Sequence, residues 1–140
     1  MERILVGIDA SRPSWESLVR ALCLAQRIEA RVSVLVVFEP NGKESAQGRT
    51  VLGRVEAEME SAKAAGANVE LYLAEGRYDR VVIDAAGQLK TTLLVAPAAG
   101  ADEQGGERET GSLGRILGGV DCRVELVSPR KHHERKKDGT

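Results

Sequence analysis

Apolar residues in this chain fall into five short runs separated by longer stretches of helical periodicity. The first run is Ile4-Leu5-Val6 with Ile8, mostly β-branched and nearly continuous, as in a strand buried on both faces. It stops at Asp9-Ala10-Ser11, and Ser11-Arg12-Pro13-Ser14 then reads as a helix entry with serines for capping and a proline near the first turn. Trp15, Leu18, Val19, Leu22, Ala25 and Ile28 recur at helical spacing and predict one buried stripe. Val32 to Phe38 is a second buried run, so the chain opens with a strand–helix–strand unit suited to a right-handed parallel crossover. Glu39 to Gly48 reads as a loop, and a second helix is predicted over about Thr50–Ala65 with Val51, Leu52, Val55 and Met59 inward. Val69 to Ala74 alternates apolar and polar residues, the pattern of a strand at a sheet edge. A third helical stripe comprises Val81, Val82, Ala85, Ala86 and Leu89, and Thr91 to Ala96 is a fourth, buried strand ending at Pro97. Pro97 to Ser112 reads as a long loop, followed by a short helix around Leu113, Ile116 and Leu117 weakened by Gly114, Gly118 and Gly119. Cys122 to Val127 alternates again and predicts a second edge strand.

The order βαβαβαβαβ predicts an α/β fold: a single doubly wound open sheet of five parallel strands, order 3-2-1-4-5, with helices on both faces. It occupies residues 1–127, and residues 128–140 form a polar basic tail. Composition adds exclusions. At 140 residues the chain buries a full core without staples, and its net charge of −1 gives it no overall field for nucleic acid or acidic membranes. Aromatic content of 3% argues against base-stacking readers of single strands. No apolar run approaches the roughly 18 residues of a membrane span, and no signal peptide is visible, so the expected setting is the cytoplasm. Cys23 and Cys122 are too few and too far apart for a disulfide scaffold or zinc site, and Cys23 reads as a small core residue. Both histidines, His132 and His133, lie in the tail, which removes a Ser-His triad from the body.

The candidate chemistry follows from the topology. In open parallel sheets ligands bind beyond the carboxyl ends of the strands, at the point where strand order reverses. Strands one and four are neighbours there, so the Asp9–Ser11 turn and the Gly100–Ser112 loop flank one crevice. Asp9 is placed either as a ligand-contacting carboxylate or as a cap and turn residue.

With Ile8-Asp9-Ala10-Ser11 and the glycine-bearing stretch after strand four, residues 3–127 resemble the universal stress protein family. That family opens on a strand ending Asp-Gly-Ser or a close variant. Its nucleotide-binding members carry Gly, two residues, Gly, nine residues, then Gly-Ser or Gly-Thr after strand four. Here Pro97 stands at the first glycine, Gly100 at the second, and ten residues separate Gly100 from Gly111-Ser112. The resemblance implies a stress-response or regulatory domain that binds ATP, with Mg²⁺ accompanying it, or AMP, without rapid turnover. It assigns Asp9, with Ala10 and Ser11, to the adenosine part and Val37 to the adenine. Gly100, Gly111, Ser112 and Leu113 fall to the ribose and phosphates. A carboxylate accepts from ribose hydroxyls, and glycines let N–H groups approach phosphate. Pro97 removes one such N–H, and Asp102, Glu103, Glu107 and Glu109 outnumber Arg108, which favours adenosine contacts over a tightly held triphosphate.

The other reading within this fold is a non-nucleotide-binding dimeric interaction or regulatory module, one that would associate with a transporter. Under either reading the expected partner is a second copy, joined through Val124 and Leu126 of the last strand, with no nucleic acid.

Overall fold

A computed structural model of the chain describes residues 1–98 and 106–128, the side chains of 106–110 excepted. The elements are β1 (Glu2–Asp9), α1 (Trp15–Arg27), β2 (Ala30–Phe38), a 3-10 turn (Gly42–Glu44), α2 (Ala46–Ala64), β3 (Asn68–Glu75), α3 (Tyr78–Gln88), β4 (Leu93–Pro97), α4 (Gly106–Gly119) and β5 (Arg123–Val127). The five strands form one parallel sheet in the order β3-β2-β1-β4-β5. Fold class and strand order are those read from the sequence.

Alternation along β1 explains the two cores. Ile4, Val6 and Ile8 join Val32, Val34 and Val36 beneath α1 and α2, where Leu18, Leu22, Val55 and Met59 cover them. Leu5 faces the opposite side with Leu35, Val37 and Leu94, beneath Val82 and Ala86 of α3 and Ile116 of α4. Each fully buried aliphatic side chain here is worth about 1.5–3 kcal/mol.

Several local expectations are corrected. Helix α2 starts at Ala46, four residues before the predicted Thr50. Ser45 caps it by accepting the Gly48 N–H at 2.9 Å. Gly48 is there for clearance: a Cβ on it would stand 2.1 Å from the Gly42 carbonyl oxygen. Val19 and Ile28 are exposed at 43% and 44%, and Ala21 and Ser17 take the inward positions on α1. Cys23 is an exposed thiol, one position past the buried arc. The β4 ladder begins at Leu93, because the Thr92 hydroxyl accepts the Arg3 N–H at 2.8 Å ahead of it. The tail beyond Ser128 lies outside the described residues.

Candidate functional site

Strand order reverses between β1 and β4, and the carboxyl end of that seam is where open parallel sheets form a ligand crevice. β1 stays paired with β2 through Asp9↔Val37, yet its pairing with β4 ends at Val6↔Val95. Beyond that point the ladder between the two central strands stops. Pro97 ends β4 opposite Val127, and the next residue, Ala98, donates its N–H to the Val127 carbonyl at 2.9 Å. Successive N–H groups of a strand point to alternate neighbours, so the N–H that proline lacks is one that would have faced β1 across the crevice.

Asp9 stands at the β1 side of this opening. Its Oδ1 accepts the Ser11 N–H at 3.0 Å and the Ser11 hydroxyl at 2.7 Å, and its carbonyl accepts the Arg12 N–H at 3.0 Å. This is an Asx turn, and the α1 cap is Ser14 instead, whose Oγ accepts the Ser17 N–H at 3.3 Å. The turn consumes only one carboxylate oxygen; among the described residues Oδ2 has no hydrogen-bond partner. Ala10 is fixed at both ends, its N–H donating to Val37 O at 2.9 Å and its carbonyl accepting Gln47 Nε2 at 3.1 Å. Val37, buried beneath α3, is the register partner of Asp9. Asp9, Ala10, Ser11 and Val37 are therefore brought together.

On the same face Tyr78, the first residue of α3, lies across Gly7 and donates its hydroxyl to the Gly7 carbonyl at 3.0 Å. A Cβ at Gly7 would come within 2.8 Å of Val82 Cγ2 and 3.3 Å of the Tyr78 oxygen. Burial raises the Tyr78 phenol above its ordinary range, and the negative charge of Asp9 pushes the same way.

Next to Tyr78 is a charged cluster that ties α3 to α4. Asp79 is 3% exposed, with Arg77 Nε donating to Oδ1 at 2.9 Å and Arg77 Nη2 to Oδ2 at 3.3 Å. The Arg80 N–H donates to Oδ1 at 2.7 Å, and Arg115 Nε of α4 donates to Oδ2. The Arg77 bond holds the Asp79 carboxyl well below the usual carboxylate range; burial opposes this, and Arg115 and the Arg80 N–H reinforce it.

Gly111, Ser112 and Leu113 lie on α4, but not at its start. The helix begins at Gly106, since Glu107, Arg108 and Glu109 are good helix formers, so Gly111 and Ser112 fall in its second turn beyond the free N–H groups of the first. The stretch read as loop up to Ser112 is thus helical from Gly106. An added Cβ on Gly111 would stand 3.7 Å from Arg115 Nη1, which places the terminal nitrogens of that guanidinium beside it. Gly100 and the side chains of Asp102, Glu103, Glu107 and Glu109 lie outside the described residues.

Sequence reasoning passed over Arg77, Tyr78, Asp79, Arg115 and Gln47. A usable signal existed for three of them: Arg-Tyr-Asp follows Gly76 at a carboxyl-end turn, with an aromatic residue in a chain that has few. Among the described residues no three metal-ligating side chains converge. No helix among the described residues is long and apolar enough to cross a membrane.

A family model described as the universal stress protein family matches residues 1–124. Comparison with curated proteins gave no match. Among solved structures, a universal stress protein in complex with cAMP is 23% identical, covering 91% of this chain and 96% of its own, with a TM-score of 0.71. A protein of the same family from Burkholderia pseudomallei is 23% identical over 90% of this chain and 95% of its own, with a TM-score of 0.66. The universal stress protein from Archaeoglobus fulgidus in complex with dAMP is 15% identical over 90% and 97%, with a TM-score of 0.62. At these identities the likeness establishes the fold.

Proposed function

Because the chain belongs to the universal stress protein family, we propose that it is a nucleotide-binding stress-response domain whose β1–β4 crevice takes an adenine nucleotide, ATP or AMP. The carrying observation is Asp9: one oxygen locks the turn and the other is left at the mouth of the crevice for a ribose hydroxyl. Val37 supplies an apolar wall in register with it. Relatives of the same fold with cAMP and dAMP bound support an adenine nucleotide as the ligand class. Gly111, Ser112 and Leu113 of α4 complete the site in this reading, together with Gly100, which lies outside the described residues. The domain holds its ligand rather than turning it over, and its free cysteines fit a cytoplasmic setting. It works as a homodimer through β5.

Isothermal titration with AMP and with Mg·ATP tests the reading. Asp9→Ala should weaken binding by about 1–3 kcal/mol, the value of a hydrogen bond to a charged group. An unchanged affinity reduces Asp9 to a turn residue, and no heat at millimolar ligand with folded protein removes the nucleotide altogether. In that event the second reading, a dimeric interaction module, takes its place. That reading keeps the β5 edge, on which Leu126 is 45% exposed, as its contact surface and drops the ligand.

A further inference from the structure

We propose that Arg77 and Arg115, held in place by Asp79, form the phosphate-recognising part of the crevice. The inference rests on the nucleotide reading for its ligand class, and its own content is the identity of the anion-binding groups.

The geometry of the donors is the first ground. Arg77 spends Nε and one Nη2 proton on Asp79, and Arg115 spends Nε. Each guanidinium therefore turns its inner edge to the buried carboxylate. Among the described residues, Nη1 of Arg77 and both terminal nitrogens of Arg115 have no acceptor. The side chains are 65% and 55% exposed, so these outer edges open to solvent. Two cations share one anion, which leaves a net positive charge on a rigid mount. Fixed guanidinium forks suit phosphate oxygens better than mobile ammonium groups do.

Position is the second ground. Arg77 directly precedes Tyr78, whose ring lies over Gly7 and whose hydroxyl feels the charge of Asp9. Arg115 stands one turn from Gly111, with its terminal nitrogens against that glycine. The cluster thus bridges α3 and α4 close to Gly7, just past the end of the β1–β4 ladder.

Chemistry is the third. Pro97 deletes a backbone N–H that would have faced the crevice. A site short of one backbone donor has two side-chain cations nearby, and the phosphate of a nucleoside monophosphate bound through Asp9 would meet them.

The experiment compares adenosine, AMP and inorganic pyrophosphate on the whole chain. Titration measures the nucleoside and nucleotide, and thermal shift measures pyrophosphate. The variants are Arg115→Lys, which keeps the charge and loses the fork, and the triple variant Arg77→Gln/Asp79→Asn/Arg115→Gln, which strands no buried charge. Wild type should bind AMP at least about tenfold tighter than adenosine, the share of a charge-assisted bond. The triple variant should bind both alike, with adenosine affinity unchanged, and Arg115→Lys should fall between. AMP binding no tighter than adenosine in wild type, or an AMP advantage that survives in the triple variant, overturns the proposal and leaves the nucleotide reading intact. Loss of both nucleoside and nucleotide, with a pyrophosphate shift present in wild type and absent in the triple variant, ends the nucleotide reading and keeps the anion site. No response to any of the three ends both.

Discussion

Replacing Asp79 with asparagine tests the cluster as a structural device. The side chain is 3% exposed and accepts from two guanidinium groups and the Arg80 N–H. Asparagine keeps the shape and an acceptor for the Arg80 N–H but removes the charge. Breaking a fully buried ion pair costs about 3–5 kcal/mol. That figure is too large here, because Arg77 and Arg115 are 65% and 55% exposed and keep much of their hydration when the carboxylate is gone. A loss of about 1–3 kcal/mol is expected, the range for hydrogen bonds to a charged group. In a chain of 140 residues this lowers Tm by about 4 °C per kcal/mol. The pH dependence gives a sharper test. The native carboxyl titrates below its unfolded value of about 3.9, so on acidification the unfolded chain takes up this proton first. The stabilisation is therefore complete above the unfolded value and is lost as pH falls through the native one. Urea unfolding of wild type and Asp79→Asn at pH 7, 5, 4 and 3 should show a gap that narrows toward acid. A gap that is constant across that series, or absent at pH 7, refutes the reasoning.

Three further outcomes follow from the packing. Gly7→Ala forces a methyl to within 2.8 Å of Val82 Cγ2 and against the Tyr78 hydroxyl, and should cost about 1–3 kcal/mol by denaturant unfolding. Gly48→Ala drives a methyl into the Gly42 carbonyl, so it should destabilise by a similar ~1–3 kcal/mol and loosen the Gln47 bond to Ala10, read as faster exchange of the amides in the Asp9–Arg12 turn. Leu126→Arg should shift sedimentation toward a monomer with Tm little changed, since the residue is already 45% exposed; an unaltered profile excludes the β5 edge as the interface.

The strands were legible because β-branched runs buried on both faces leave little else for the chain to do, and Ile4–Ile8 and Val32–Phe38 state this directly. Helix α4 was not. Its glycines read as breakers, yet Gly119 lies where a Cβ would stand 2.7 Å from Ile83 Cδ1, so close approach to α3 outweighs weak propensity. Asp9 and Val37 were legible for a topological reason, since a residue at the carboxyl end of a strand announces its place. The Asp79–Arg115 contact joins residues 36 apart through the packing of two helices. Each alone reads as one more charge on a solvated helix, and only the α3–α4 seam gives the pair meaning.

The unequal ladders of β1 have a mechanical consequence. At the amino end the seam with β4 is clasped: Thr92 donates to Glu2 Oε2 at 3.0 Å, its N–H reaches the Arg3 carbonyl at 2.8 Å, and Arg123 pairs with Glu2. At the carboxyl end nothing in the ladder holds β1 to β4 after Val6. The halves β3-β2-β1 and β4-β5 are therefore joined by the ladder at the amino end alone, and at the carboxyl end by helix packing and the Asp79–Arg115 contact. A molecule seated there would span the two halves, and its binding energy would add to the stability of the whole domain as RT ln(1 + [L]/Kd). On the nucleotide-binding reading, a partner that gauged the firmness of that seam would be reading the ligand.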